Sequence, residues 1–346
     1  MKRLLFLILL LMSGLAAPTG AGAEELIILS SARITPPAVV ERFERRHGIR
    51  LRFDYFESSE ALAAHLEARP RGDLALLREH YVAHLRRNRQ IAAFDQALLP
   101  NLRHLDDRAL NSQVDPGRAY SVPYLYGTLG LLYHQRLFNE EKPTWAWLFS
   151  RQAGAVPFAI TDQYRDALGA ALIYLGFSYN SSSAIAIGQA AELLRSLSTH
   201  PAFMGFMSSE TILRYFREDF ILAAVTYNNL AARLIEENPD LAYSVPADGE
   251  VAWSYVYVVN QKSRNRAEVY KWLNYLLEPE VAAEVSAWNR AATPNRAALT
   301  RLSPEIRNNP IIFPPPEVWQ KAQTPLGLDE ESEKLYREYW PRLNLQ

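Results

Sequence analysis

Apolar residues along this chain recur with two alternating periods, and the alternation predicts the architecture. Leu26-Ile27-Ile28-Leu29 is a continuous apolar run suited to a buried strand, and Pro36-Pro37 then opens a helical pattern with Val39, Val40 and Phe43 inward until Gly48. From Ile49 to Tyr55 the period is two, with Leu51, Phe53 and Tyr55 set against Arg50, Arg52 and Asp54. Ser59 begins a second helix with Leu62 and Leu66 on one side, and Gly72-Asp73 turns into Leu74-Ala75-Leu76-Leu77. Strand, helix, strand, helix, strand implies a parallel sheet covered by helices, with ligand sites beyond the carboxyl ends of the strands.

The middle of the chain centres on the aromatic stretch Tyr120 to Gly127 and the apolar run Leu129 to Tyr133. Val156 to Ile160 predicts a further strand, after which Thr161-Asp162 is expected to cap a helix carrying Ala167, Leu168, Ala171 and Leu172 inward. Helices are expected over Ala184 to Leu197 and Ser209 to Arg217, strands over Leu222 to Tyr227 and Val251 to Asn260. A helix with Val269, Trp272, Leu273, Leu276 and Leu277 aligned follows Lys262-Ser263-Arg264-Asn265, and Glu330 to Tyr339 reads as a terminal helix.

Ahead of this pattern, Lys2 and Arg3 precede the apolar run Leu4 to Met12, and Ala21-Gly22-Ala23 offers a small-residue cleavage site. Residues 1–23 are therefore expected to be a cleaved signal peptide, its apolar run being too short to span a bilayer. The 346 residues allow roughly two domains, and 49% hydrophobic content supports a large core. Lys+Arg 37 against Asp+Glu 38 gives no basic surface for a phosphate backbone, so nucleic acid is not an expected partner. With no cysteine there are no disulfides, thiolate zinc sites or Cys nucleophiles, which fits an oxidising compartment.

Catalytic and cofactor signatures are missing: no phosphate loop with its Lys, no GxSxG, no HExxH. His80 and His84 share i, i+4 spacing without a third ligand nearby, and read as helix histidines rather than a metal site. Asp162 and Asp166, one turn apart, can serve a helix N-terminus without chemistry. The expectation is a protein that is not an enzyme, with no cofactor and no metal.

Five segments in order carry a family resemblance: Pro36-Pro37 to Phe43, Tyr55-Phe56-Glu57-Ser58-Ser59-Glu60, Tyr120-Ser121-Val122-Pro123-Tyr124, Leu276 to Ala282, and Thr293-Pro294-Asn295-Arg296-Ala297-Ala298. From about residue 26 onward the chain resembles the spermidine/putrescine-binding proteins of bacterial ABC importers. The resemblance implies an α/β, two-lobed periplasmic-binding-protein-like fold, each lobe a mixed or parallel sheet flanked by helices, with the ligand cleft between lobes. Lobe one is expected to hold residues 24–123 plus 256–302, lobe two residues 124–255 plus 303–346. Hinge closure on a small solute would be recognised by inner-membrane permease subunits, and the soluble chain would work in the periplasm.

The resemblance also places the pocket. After the first strand stands Ser31, then Ala32 and Arg33; the family's small hydroxyl position is Arg78 and its following aromatic is His80. Thr161 and Asp162 open the helix on which the two expected acids fall at Gln163 and Asp166. Tyr227 replaces a Trp, Trp253 is retained, the acid two residues later is Tyr255, the Tyr before Thr293 is Ala291, and Gln320 matches a family glutamine. Tyr126 is a further expected wall. Two of three amine-binding acids are thus neutral here, and Arg78 adds positive charge. About 4 kcal/mol of repulsion between like charges 4 Å apart at an effective dielectric of 20 argues for a pocket retuned from polyamines. A smaller neutral, zwitterionic or anionic solute is the expected ligand, with a carboxylate or phosphate on Arg78 or, if it is amino-acid-like, an amine reaching Asp162 or Asp166. Genuine putrescine or spermidine transport, and a periplasmic sensor that kept the fold without transport, are the alternatives.

Overall fold

The computed structural model describes residues 25–68, 71–138, 143–150 and 154–343, so the leader expected at 1–23 lies outside the described residues. Ten strands form one continuous sheet: β1 (Glu25–Ser30), β2 (Arg50–Tyr55), β3 (Leu74–Arg78), β4 (Ile91–Ala92), β5 (Val122–His134), β6 (Phe158–Thr161), β7 (Phe203–Met207), β8 (Ala223–Tyr227), β9 (Leu241–Ser244) and β10 (Val251–Asn260). The order is β2-β1-β3-β10-β5-β8-β6-β7, with β4 added to β10 and β9 to β5.

The sheet has two similar halves. β2, β1 and β3 run parallel and end against antiparallel β10. β7, β6 and β8 run parallel and end against antiparallel β5. The long strands β5 and β10 pair with each other and join the halves. The first three strands fall where the apolar runs placed them, and the pattern survives because Leu26, Ile28, Leu74 and Leu76 are all fully buried.

Each half has its own packing centre. Phe43, from helix Pro37–His47, meets Trp272 edge-on at 4.9 Å in a core that also takes Tyr124, Leu125, Trp253 and Tyr257. A second core holds Leu129, Leu131, Phe158, Leu168, Ile187 and Val251. Packing allegiance therefore changes between Leu125 and Leu129 on β5 and between Val251 and Trp253 on β10. The C-terminal segment is split likewise: Leu326 packs near Tyr81 and Val82, while Leu328 and Tyr336 join the second core.

Local chemistry sets the boundaries. Gly48, at φ 68°, closes the first helix in the left-handed conformation that lacks a Cβ penalty only for glycine. Ser58 caps helix Ser59–Glu67 by accepting the Ala61 N–H. The expected Thr161-Asp162 cap is corrected: Thr161 is the last residue of β6 and fully buried, so helix Tyr164–Tyr174 starts from Gln163, with no side-chain cap bond.

Candidate functional site

A cavity of about 310 Å³ lies where the carboxyl ends of β1, β3 and β8 face the start of helix Tyr164–Tyr174. Its walls include Ser31, Arg78, Asp162, Gln163, Tyr227, Trp253 and Tyr255, seven of the positions picked from the sequence. Sequence reasoning did not select Glu57, Arg33, Glu210, Arg233, Asn229 and Asn289, which also line it. Arg33, Glu57, Glu210 and Asn229 follow closely on strand ends, whereas Arg233 and Asn289 lie within or at the end of helices and carried no such signal.

Arg78 and Asp166 meet. Arg78 Nη2 donates to Asp166 Oδ1 at 3.2 Å, and both side chains are almost wholly buried. Asp166 also accepts from the Tyr179 hydroxyl at 2.8 Å and the Tyr227 hydroxyl at 2.5 Å. The Arg78 guanidinium lies 5.6 Å from the Tyr227 ring centre and 5.9 Å from that of Tyr255. A carboxylate beside aromatic faces is what a buried amine requires, and here the chain's own guanidinium occupies it. Burial is the largest single influence and works against the Arg78 charge, but Asp166 together with Tyr227, Tyr255 and Tyr179 outweighs it and holds the pKa above the ordinary arginine value. Burial, reinforced by Asp166, pushes the Tyr179 and Tyr227 pKa values well above the usual phenol range, so both remain hydroxyl donors. Arg78 is therefore not a free anion hook, and Asp166 is more than a first-turn helix acid.

The backbone around this pair is held in place. The Arg78 N–H donates to Ser59 Oγ at 3.0 Å, and Ser59 Oγ shares a 2.7 Å hydrogen bond with Ser31 Oγ. Trp253 Nε1 donates to Asn228 Oδ1 at 3.1 Å and Thr128 O at 3.2 Å. Gly127 makes room for this: a Cβ there would lie 2.6 Å from the Trp253 indole and strike Asn228. Asp162 accepts from the Gln163 amide at 3.0 Å.

The remaining sequence-selected residues lie elsewhere. Thr161 does not line the cavity; its hydroxyl sits 3.5 Å from that of Tyr227. Tyr126 and Gln320 line a separate cavity behind β5 and β10. Register explains Tyr126: it pairs with Ser254, between Trp253 and Tyr255, so it shares the opposite face of the sheet. His80 is buried on the flank against Tyr81, ring centres 4.3 Å apart, while His84 bonds Glu67 at 2.5 Å. Among the described residues no group of three or more metal-ligating side chains forms.

His80 gives a pH prediction. Burial, then Arg165 and Arg78, hold its pKa well below the ordinary histidine value, so the folded ring stays neutral. The unfolded chain takes up this proton below about pH 6.5, so stability falls with pH there, by up to about 1.4 kcal/mol per unit. Urea unfolding of wild type and His80→Gln from pH 7.5 to 5 should show a flatter profile for the variant; equal slopes would remove His80 as a cause.

Ties between the halves flank the cavity. Arg290 pairs with Glu236 at 2.7 Å and Arg233 donates to the Trp288 carbonyl at 2.9 Å on one side. Arg337 pairs with Glu60 at 2.9 Å and the Tyr81 and Tyr164 hydroxyls meet at 3.2 Å on the other.

The profile of the bacterial extracellular solute-binding proteins matches residues 38–314. The chain belongs to that family. It is a binding protein and not an enzyme. This solute-binding protein is 28% identical over 333 residues to the spermidine/putrescine-binding periplasmic protein of Salmonella typhimurium, covering 95% of this chain and 94% of the relative. It is also 28% identical to the putrescine-binding periplasmic protein of Escherichia coli, over 89% of this chain and 88% of that one. Among solved structures, a protein of Listeria monocytogenes assigned as a spermidine/putrescine ABC transporter superposes with a TM-score of 0.87 at 26% identity, covering 93% and 99%. The corresponding substrate-binding protein of Streptococcus pneumoniae shares the fold at a TM-score of 0.78 and 23% identity, covering 92% and 98%. The expected two-lobed α/β class is the one found. No helix among the described residues is long and apolar enough to cross a membrane.

Proposed function

We propose that this chain is the exported receptor of an ABC importer, taking a small polar solute between its lobes and presenting the closed form to membrane permease subunits. Residues 1–23 act as the export leader, and the names of the periplasmic relatives support that location. The lobes divide where the packing centres change, on β5 and β10, and bending is confined to those strands and the C-terminal segment.

The cavity is retuned from typical polyamines. One observation carries this: Asp166 is already satisfied by Arg78, Tyr179 and Tyr227. Together with Gln163 and Tyr255 in place of acids, this leaves no unoccupied carboxylate at the three amine positions the resemblance implies. The reason differs from simple repulsion, because the Arg78 charge is balanced by Asp166; occupancy, not net charge, excludes the amine. What remains around the cavity is both signs of charge, Arg33 and Arg233 against Glu57, Asp162 and Glu210, over hydroxyl and amide groups. Such a wall suits a zwitterionic or neutral polar solute.

A second reading, polyamine uptake itself, is favoured by Glu57, Asp162 and Glu210 and by the relatives' names. Thermal-shift titration of the mature chain separates the two. Amino acids or small polar carboxylates at 100 times their dissociation constant should stabilise by about 2.7 kcal/mol, with putrescine and spermidine inert at the same concentration. Micromolar spermidine binding would end the retuned-cavity reading and establish the second.

A further inference from the structure

The cavity behind β5 and β10, about 320 Å³, has chemistry of its own. Its carboxylate is spent: Glu79 accepts from Arg118 Nη1 at 2.6 Å, Ser112 Oγ at 2.5 Å and Ser254 Oγ at 2.5 Å. That leaves Arg108 as the charged group without a carboxylate at ion-pair distance among the described residues. The nearby Asp106 is turned back to cap its own helix at the Ala109 N–H, 2.7 Å away. The Arg108 guanidinium lies 4.0 Å from the Tyr126 ring centre and 4.1 Å from that of Trp319, the two rings meeting edge-to-face at 5.2 Å.

We propose that this rear cavity is a second binding site, for a small aromatic carboxylate anchored on Arg108. A guanidinium packed against two rings loses rotamer freedom and part of its hydration, yet its N–H groups can still form the two-pronged contact that matches a carboxylate. Tyr126 and Trp319 supply apolar wall for a ring, and Gln320, Gln113 and Asn111 supply neutral donors. The volume is at the small end of ligand sites, which limits the occupant to about a dozen heavy atoms. Because Tyr126, Ala252 and Ser254 belong to the strands that join the lobes, occupancy here would couple to closure in front. The inference does not depend on which solute the front cavity takes.

Isothermal titration of the full mature chain with phenylacetate tests it, with phenethylamine and acetate as probes lacking the charge sign or the ring. Phenylacetate is expected to bind saturably below about 1 mM, with the other two at least tenfold weaker. Arg108 is exposed, so Arg108→Gln should fold normally and weaken phenylacetate at least tenfold; Trp319→Ala should weaken it too, and Arg33→Ala in the front cavity should not. No saturable binding of phenylacetate, equal binding of phenethylamine, unchanged affinity in Arg108→Gln, or loss in Arg33→Ala would each overturn the rear site.

Discussion

Asp166→Asn is expected to destabilise the protein by about 3–5 kcal/mol, among the largest effects of any single substitution outside the apolar cores. The carboxylate accepts from Arg78, Tyr179 and Tyr227, and asparagine removes its charge and one of its two acceptor oxygens. The Arg78 guanidinium then stays out of water with no counter-charge, and its desolvation is no longer offset. Denaturant unfolding at pH 7 measures the loss; a change under about 1 kcal/mol would mean that water reaches the pair and that its burial does not govern the site.

Arg78→Ser should convert the front cavity into an amine receptor. The substitution restores the small hydroxyl that the family resemblance implies there and uncovers Asp166 with the Tyr227 and Tyr255 faces. An amine that takes the place of Arg78 beside the freed Asp166 carboxylate gains, at 4 Å and an effective dielectric of 20, about 4 kcal/mol of ion-pair attraction, an upper bound of roughly three decades. A gain of about 100-fold in putrescine affinity over wild type is the expected result by calorimetry. The unliganded variant should lose stability, since Asp166 keeps two tyrosine donors but no cation, and putrescine should return part of it. Unchanged polyamine affinity would show that Arg78 does not stand in the amine's place.

Much of this was legible in the sequence because it depends on short-range pattern. Leu26 to Leu29 and the Leu74 to Leu77 run mark strands by their continuous apolar character, the alternation from Leu51 marks another although Tyr55 at its end is exposed, and strand ends in this architecture point at ligands. That rule and the family resemblance together put Ser31, Arg78 and Tyr255 on the cavity wall. What the sequence could not show is pairing across the fold. Arg78 and Asp166 carry opposite charges at positions that meet only when the end of β3 packs against helix Tyr164–Tyr174, and Tyr179 shows no periodic mark linking it to either. Thr161 looked like a cap because threonine before a helix usually is one, but the sheet claimed it first. Tyr126 was misplaced because its face follows from its pairing with Ser254, and register between distant strands is invisible in one chain read alone.

The joining of the two half-sheets by β5 and β10 bears on how the chain acquires its shape. Leu76 on β3 lies opposite Tyr257 on β10, so the N-terminal half-sheet cannot be completed until most of the polypeptide is available. Contacts so distant in sequence close slowly. The free edge of β3 therefore stays open until β10 arrives, and the first half-sheet to be made is among the last parts of the molecule to become rigid.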